Sequence, residues 1–249
     1  MVGEVAVVSG ASYGIGRHIS KQLAAKGWHV ALLARGLAQL TQVQEEITQA
    51  GGVALALQCD ITDRNAVRAC KQRIEDDLGT PTVLINNAAY VAPLHKFAEG
   101  NPEEWEKMIS VNVWGTLNLT REILPSMLEK KRGKIIFMSS KAGVVPTPYL
   151  AVHSGTKHMV EGLVGALIQE IAGSGVSVSL VRPGGVATPG YTHAVESGDG
   201  GSVPDWIPGN FDECIKPETV AEAVLFIVEQ MEHADISEIN VTANTKIKE

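Results

Sequence analysis

The sequence predicts an α/β protein: a doubly wound parallel sheet of about seven strands with helices on both faces. Three observations carry this. Short β-branched runs alternate with longer helical patterns along the 249 residues. The runs carry little charge, as strands buried on both faces must. The first run ends in a glycine-rich turn that opens into a helix.

In chain order the strands fall at 4–10 (EVAVVSG), 29–35 (HVALLAR), 53–60 (VALALQCD), 82–88 (TVLINNA), 133–140 (GKIIFMSS), 176–183 (VSVSLVRP) and 236–243 (ISEINVTA). Helical patterns lie near 15–26, 37–50, 63–78, 103–128, 152–172 and 217–231. Each strand–helix–strand unit implies a right-handed crossover, and a series of them winds a parallel sheet. One stretch, 188–216, breaks this rhythm. A connection that long in a compact domain is a lid or a binding segment. Its Tyr191, Trp206, Ile207 and Phe211 are more apolar surface than a spacer needs.

Residues 1–249 are expected to form a single dinucleotide-binding domain, with 188–216 as its substrate-binding loop. The chain is 45% hydrophobic and 20% charged, ordinary for a protein with a real core. A net charge of −7 disfavours nucleic acid or an anionic membrane as a partner, although a local phosphate site remains compatible with it. Cys59, Cys70 and Cys214 form neither a disulfide framework nor a zinc pattern, and the histidines lack metal-ligand spacing. No apolar run reaches the ~18 residues of a membrane span. The first residues read as a strand rather than a cleavable signal, so a cytoplasmic protein is expected.

In open α/β sheets ligands bind beyond the carboxyl ends of the strands. There "SGASYGIGR" places Gly10, Gly14 and Gly16 at the turn into the first helix. Glycines let the backbone approach a ligand closely, and the helix N-terminus offers N–H groups to a pyrophosphate. The second strand ends in Ala34-Arg35 with no carboxylate to grip a ribose 2′-hydroxyl. A neutral residue with arginine accommodates a 2′-phosphate instead, which favours NADP(H) over NAD(H). Arg17 offers a second cation, and Asp60 stands where it could meet the adenine amino group.

With these motifs in place the chain resembles the short-chain dehydrogenase/reductase family over nearly its whole length. The glycine turn matches T-G-x-x-x-G-I-G with Ser9 for threonine, and "NNAA" (86–89) matches N-N-A-G with Ala89 at the last glycine. "VNVWG" (111–115) puts Asn112 at the family's active-site asparagine, and "MSSKAG" (138–143) puts Ser140 at its serine. "RPGGVAT" (182–188) supplies Pro183, Gly184, Val186 and Thr188, the last to hold the nicotinamide carboxamide. Ser12, Tyr13, Ile15, Ile61, Asn87 and Ala88 complete the implied cofactor set. The ending "IKPETVAEAVLFIVEQ" is similar to that of the family's NADP-dependent hydroxy-acid and serine dehydrogenases. The resemblance implies a homodimer or homotetramer pairing through the long helices at 103–128 and 152–172.

It also implies hydride transfer between nicotinamide and a carbonyl or alcohol carbon, with a proton donor within hydrogen-bond reach of the oxygen. The family uses tyrosine four residues before lysine for this, so that both share one helix face. Here Lys157 minus four is His153, and Ser140 plus thirteen is again His153. Three roles are open to this histidine. It can serve as the acid/base, since its ordinary pKa of about 6.5 lies near neutrality, although Lys157 lowers it further. It can mark an NADP(H)-binding protein doing non-redox chemistry, or it can be an inactivating substitution. Lys157 is assigned to the nicotinamide ribose, Asn112 to a water relay and Ser140 to the substrate oxygen. Val91, Lys141, Val145, Tyr149 and Trp206 are the expected pocket for a small to medium, partly apolar substrate. Tyr149 is a pocket wall or, if the helix begins early, a substitute donor on the face of 153 and 157. His95 and His193 could reach the pocket from loops.

Overall fold

The computed structural model describes residues 3–198 and 213–244. Seven parallel strands form one sheet in the order β3-β2-β1-β4-β5-β6-β7. They span Val5–Ser9 (β1), His29–Ala34 (β2), Val53–Gln58 (β3), Pro81–Asn86 (β4), Gly133–Met138 (β5), Val176–Pro183 (β6) and Glu238–Val241 (β7). The helices are Gly14–Ala25 (α1), Leu37–Gln49 (α2), Arg64–Asp77 (α3), Pro102–Ile109 (α4), Thr116–Lys130 (α5), Ala151–Glu170 (α6), Pro189–Glu196 (α7) and Pro217–Gln230 (α8).

Successive strand residues point to opposite faces, and the core divides accordingly. Ala6 and Val8 of β1 pack with Leu23 of α1, Leu40 of α2 and Val224 of α8. Val5 and Val7 pack on the other side with Ile74 of α3, Ile123 of α5 and Val164 of α6. Every residue of β1, β4 and β5 is buried, which is why these runs tolerate so few charges. The edge strands β3 and β7 keep exposed positions.

β1 pairs with β2 on one side and β4 on the other, Val8 lying opposite both Leu32 and Ile85. The strand order reverses there, and the crevice beyond the ends of β1 and β4 is the place such folds offer a ligand.

Two expectations are revised. The single helix expected at 103–128 is two, α4 and α5, joined by a π-helical turn at Ser110–Gly115 that contains Asn112. Such wide turns recur at functional sites. The segment 188–216 is not wholly a loop, because its start folds as α7. Thr188 caps α7 by accepting the Tyr191 N–H at 3.3 Å, and Pro189 occupies the first turn. Trp206, Ile207 and Phe211 lie outside the described residues. Among those described, no helix is long and apolar enough to cross a membrane.

Candidate active site

The glycine turn and the end of β4 are tied together by one hydroxyl. Ser9 Oγ donates to the Ile85 carbonyl at 3.2 Å and accepts the N–H groups of Asn87 and Ala88, each at 3.0 Å. Asn87 Nδ2 returns the contact to the carbonyls of Ser9 (2.8 Å) and Gly10 (3.3 Å). The packing leaves no room for side chains. A Cβ on Gly16 would stand 2.3 Å from the Gly10 carbonyl oxygen and 2.5 Å from Asn87 Nδ2. Gly10 has φ +67°, and its Cβ would meet Ala88 Cα at 2.9 Å. Gly14, at φ +55°, faces Thr188, whose Cγ2 lies 3.1 Å from where a Cβ would be.

A dinucleotide fits this cradle. Tyr13, the residue before α1, makes no side-chain cap bond, so the first-turn N–H groups are left for an anion. Ser12 and Ile15 are half-buried around the turn, and Tyr13 is exposed. Arg35 stands exposed just past β2 with no acid at that strand's end. Arg17 is placed differently from the expectation of a second phosphate-facing cation. Its guanidinium holds both carboxylate oxygens of Glu46 at 2.6 and 2.7 Å. Asp60 Oδ1 accepts from the Thr62 N–H and hydroxyl, while Ile61 is buried against Gly115. On the far side Pro183 ends β6, the Gly184 N–H donates to the Val241 carbonyl at 2.9 Å, and buried Val186 bridges to Ile215.

The helix α6 carries the second half of the site. His153, Lys157 and Glu161 recur every fourth residue and therefore share a face. His153 is 8% exposed, and its Nδ1 is buried without a hydrogen-bond partner among the described residues. Burial first, and the neighbouring Lys157 charge second, push its pKa down to about 3. Lys157 is also buried, and its Nζ donates to the Met138 carbonyl at 2.7 Å. Burial lowers the Lys157 pKa to about 8, against the opposing pull of Glu161. Ser140, two residues past Met138, is half-buried and accepts the Ala142 N–H at 3.1 Å. Asn112 accepts the Tyr90 N–H at 2.7 Å and donates to the Tyr90 carbonyl (2.9 Å) and Thr156 Oγ1 (3.3 Å). Its amide thus pins the loop after β4 to α6.

The walls are partly as expected from sequence. Val91, Tyr149 and Tyr191 pack on buried Leu94 and Ala194, joining the loop after β4, the loop before α6 and α7. Tyr149 adopts φ +66° and α6 begins only at Ala151, so Tyr149 is not on the helix face of 153 and 157. Lys141 and Val145 are exposed, outside this cluster. His95 and His153 line one cleft together with the stacked pair Phe97 and Trp105, and His193 lines another beside Thr188. Tyr90 and Glu161 were not singled out by motif, and Ser9 and Arg182, though inside quoted motifs, were given no role. For Glu161 the signal was present, as a carboxylate one more turn along the 153–157 face.

The match to known proteins agrees with this architecture. The family model for short chain dehydrogenase matches residues 4–197, and the chain belongs to that family. Within it, the chain is 32% identical over 239 residues to an uncharacterized oxidoreductase of Staphylococcus saprophyticus, covering 96% of each. It is 34% identical over 237 residues to glycine betaine reductase of Emericella nidulans, covering 95% of this chain but 18% of that much longer protein. A metagenomic short-chain oxidoreductase solved in complex with NADP superposes with a TM-score of 0.81 at 33% identity, covering 98% of this chain and 99% of the other. The closed form of serine dehydrogenase complexed with NADP+ gives 0.86 at 27% identity, covering 95% and 94%.

Proposed function

We propose that this chain is an NADP(H)-dependent oxidoreductase. It reduces a carbonyl, or oxidises the corresponding alcohol, on a small to medium, partly apolar substrate. The observation that carries this is the buried Lys157, held to the end of β5 within two residues of Ser140 and one turn from His153. Burying an ammonium there costs stability, so its presence points to binding or reaction rather than to folding. The glycine cradle supports the dinucleotide, and Arg35 with no acid beside it supports the 2′-phosphorylated form. Solved relatives carrying NADP or NADP+ support the same choice.

When bound, the nicotinamide supplies or accepts the hydride. Ser140 directs its hydroxyl hydrogen to the substrate oxygen. His153 moves the proton, and its environment dictates how. With a pKa near 3 it is neutral at physiological pH, so imidazolium is not the donor. A neutral imidazole still relays: one ring nitrogen releases its proton to the substrate oxygen while the other takes one up. The replacement traces to the Lys157 ammonium, with a pKa of about 8, by way of water. Lys157 Nζ donates to the Met138 carbonyl, and no hydrogen bond joins it to the ring among the described residues. Reduction leaves Lys157 neutral and His153 in its other tautomer, and oxidation runs the same path backward. Reduction should therefore fall as pH rises through about 8, and oxidation should rise.

The test is NADPH oxidation, followed by absorbance, against a panel of ketones, with wild type beside His153→Tyr. Measurable reduction by wild type with an alkaline limb near pH 8 is the expected result. A wild type that binds NADPH yet reduces nothing, with activity appearing only in the tyrosine variant, would overturn the role given to His153.

The proposal extends to a cytoplasmic homodimer or homotetramer. Trp114 and Ile109, at the junction of α4 and α5, and Met159 and Ile168 on α6 are exposed. Gly155, Gly162 and Gly165 leave α6 open, nothing lying within 4 Å of where their Cβ atoms would be. Exposed apolar side chains on α6 and at the α4–α5 junction, with an open stretch of α6, favour a partner packed on these elements.

A further inference from the structure

We propose that Glu161 is a positioning residue for the active-site lysine, a role that rests on the proton path assigned above. Its carboxylate ties α6 to the ends of β5 and β6, and Arg182 extends the network to β7. Glu161 Oε1 accepts the Ser139 hydroxyl and Arg182 Nε (2.8 Å), and Oε2 accepts Arg182 Nη2 (2.8 Å). Arg182 Nη1 continues to Glu238 on β7 at 2.6 Å. Ser139 stands between Met138, whose carbonyl holds Lys157, and Ser140. The same carboxylate therefore sets both the lysine's distance from its carbonyl anchor and the backbone that presents the serine. Arg182 immediately precedes Pro183 and Gly184, so the loop on the nicotinamide side is tied to the same point.

Stability alone is a weak reason for this network. A carboxylate and guanidinium at 16% and 10% exposure recover little net energy, because their desolvation offsets their attraction. Electrostatics add a second effect. The groups around Lys157 are His153 and Glu161 on its own helix and Arg182 on β6, with Glu238 on β7 and His158 on α6 acting on the Arg182–Glu161 pair. Glu161 is the negative charge that raises the lysine's proton affinity against burial. Burial would raise the Glu161 pKa, but its bonds from Arg182 and Ser139 hold it below the ordinary carboxylate value. It therefore stays ionised where the lysine titrates.

The test compares Glu161→Gln, Glu161→Asp and Ser139→Ala in the full chain. The Lys157 ammonium is followed by NMR in protein carrying 15N-labelled lysine side chains, assigned with Lys157→Arg. Glu161→Gln should move the Lys157 titration to lower pH in the protein alone, with the alkaline limb of reduction following it. kcat should fall roughly tenfold while KM stays within about twofold, as for a lost alignment rather than a lost binding contact. Glu161→Asp, which keeps the charge, should return the titration toward wild type. Should Glu161→Gln fail to fold, Ser139→Ala carries the test. It leaves the Arg182 pair intact and should lower kcat without lowering the melting temperature. An unchanged Lys157 titration, or activity and melting temperature falling together in all three variants, would leave Glu161 a purely structural group and overturn the proposal. The titration needs no turnover, so a wild type without reductase activity defeats the redox assignment and leaves the Glu161 result readable.

Discussion

At the scale of single residues, the proposed chemistry turns on His153. Its ordinary pKa, known from composition alone, puts imidazole near neutrality. Burial takes it down to about 3, a difference no spacing rule can supply, because it depends on what surrounds the ring. The consequence for stability follows from linkage. Between the unfolded value of 6.5 and the folded value of about 3 the unfolded chain binds more protons at this site. Folding therefore weakens as pH falls through that window, and the contribution is intact above 6.5. By pH 5 the loss is about 2 kcal/mol, from a 1.5-unit descent at 1.36 kcal/mol per unit. His153→Phe keeps a ring of similar shape and removes the titration. Its melting temperature should decline less between pH 7.5 and pH 5 than that of wild type; equal declines would refute the assignment. Glu161 teaches a related lesson. Its place on the 153–157 face was legible, but its partners Ser139 and Arg182 lie 22 and 21 residues away and meet it only through the sheet.

At the scale of elements, most of the chain was readable because two periodicities seldom conflict here. The β-branched runs ended within two residues of β1 to β7. What escaped was local chemistry inside longer patterns. The π-turn at Ser110–Gly115 interrupts an amphipathic stretch without a proline to mark it. The start of α7 had a marker, Thr188 followed by Pro189, which was submerged in a segment rich in glycine and polar residues. The glycine turn is the element whose fit was clearest beforehand and is most exacting in three dimensions. Gly16→Ala would put a methyl group 2.3 Å from the Gly10 carbonyl oxygen, against backbone that cannot retreat cheaply. The expected outcome is a loss of NADPH affinity of more than tenfold in fluorescence titration, with a melting temperature lowered by several degrees, as for about 1–3 kcal/mol of overpacking. Wild-type affinity in this variant would show that α1 can shift away from β4.

At the scale of the whole molecule, the parallel sheet brings α1, β4, β5 and α6 to one edge, and everything proposed about activity is located there. The opposite question, what covers the exposed side of α6 and the α4–α5 junction, belongs to assembly. Trp114, at the α4–α5 junction, is 52% exposed, with the Arg64 guanidinium 6.0 Å from its ring centroid. Trp114→Glu should give a species of lower mass in analytical ultracentrifugation, with its circular dichroism unchanged. A wild type that already sediments as a monomer, or a variant of unchanged mass, would remove this surface from the proposed interface.

By itself the sequence determined the fold class, the succession of the seven strands along the chain, the glycine turn and the spacing of His153 and Lys157 one helical turn apart. These depend on side-chain period, backbone freedom at glycine and spacing along one helix, all local properties. Only the tertiary structure decided that Arg17 pairs with Glu46, that Tyr149 lies off α6 and that His153 is buried, which lowers its pKa. Each of these is set by groups distant in sequence that the sheet and its helices bring into contact, and by the water their packing excludes.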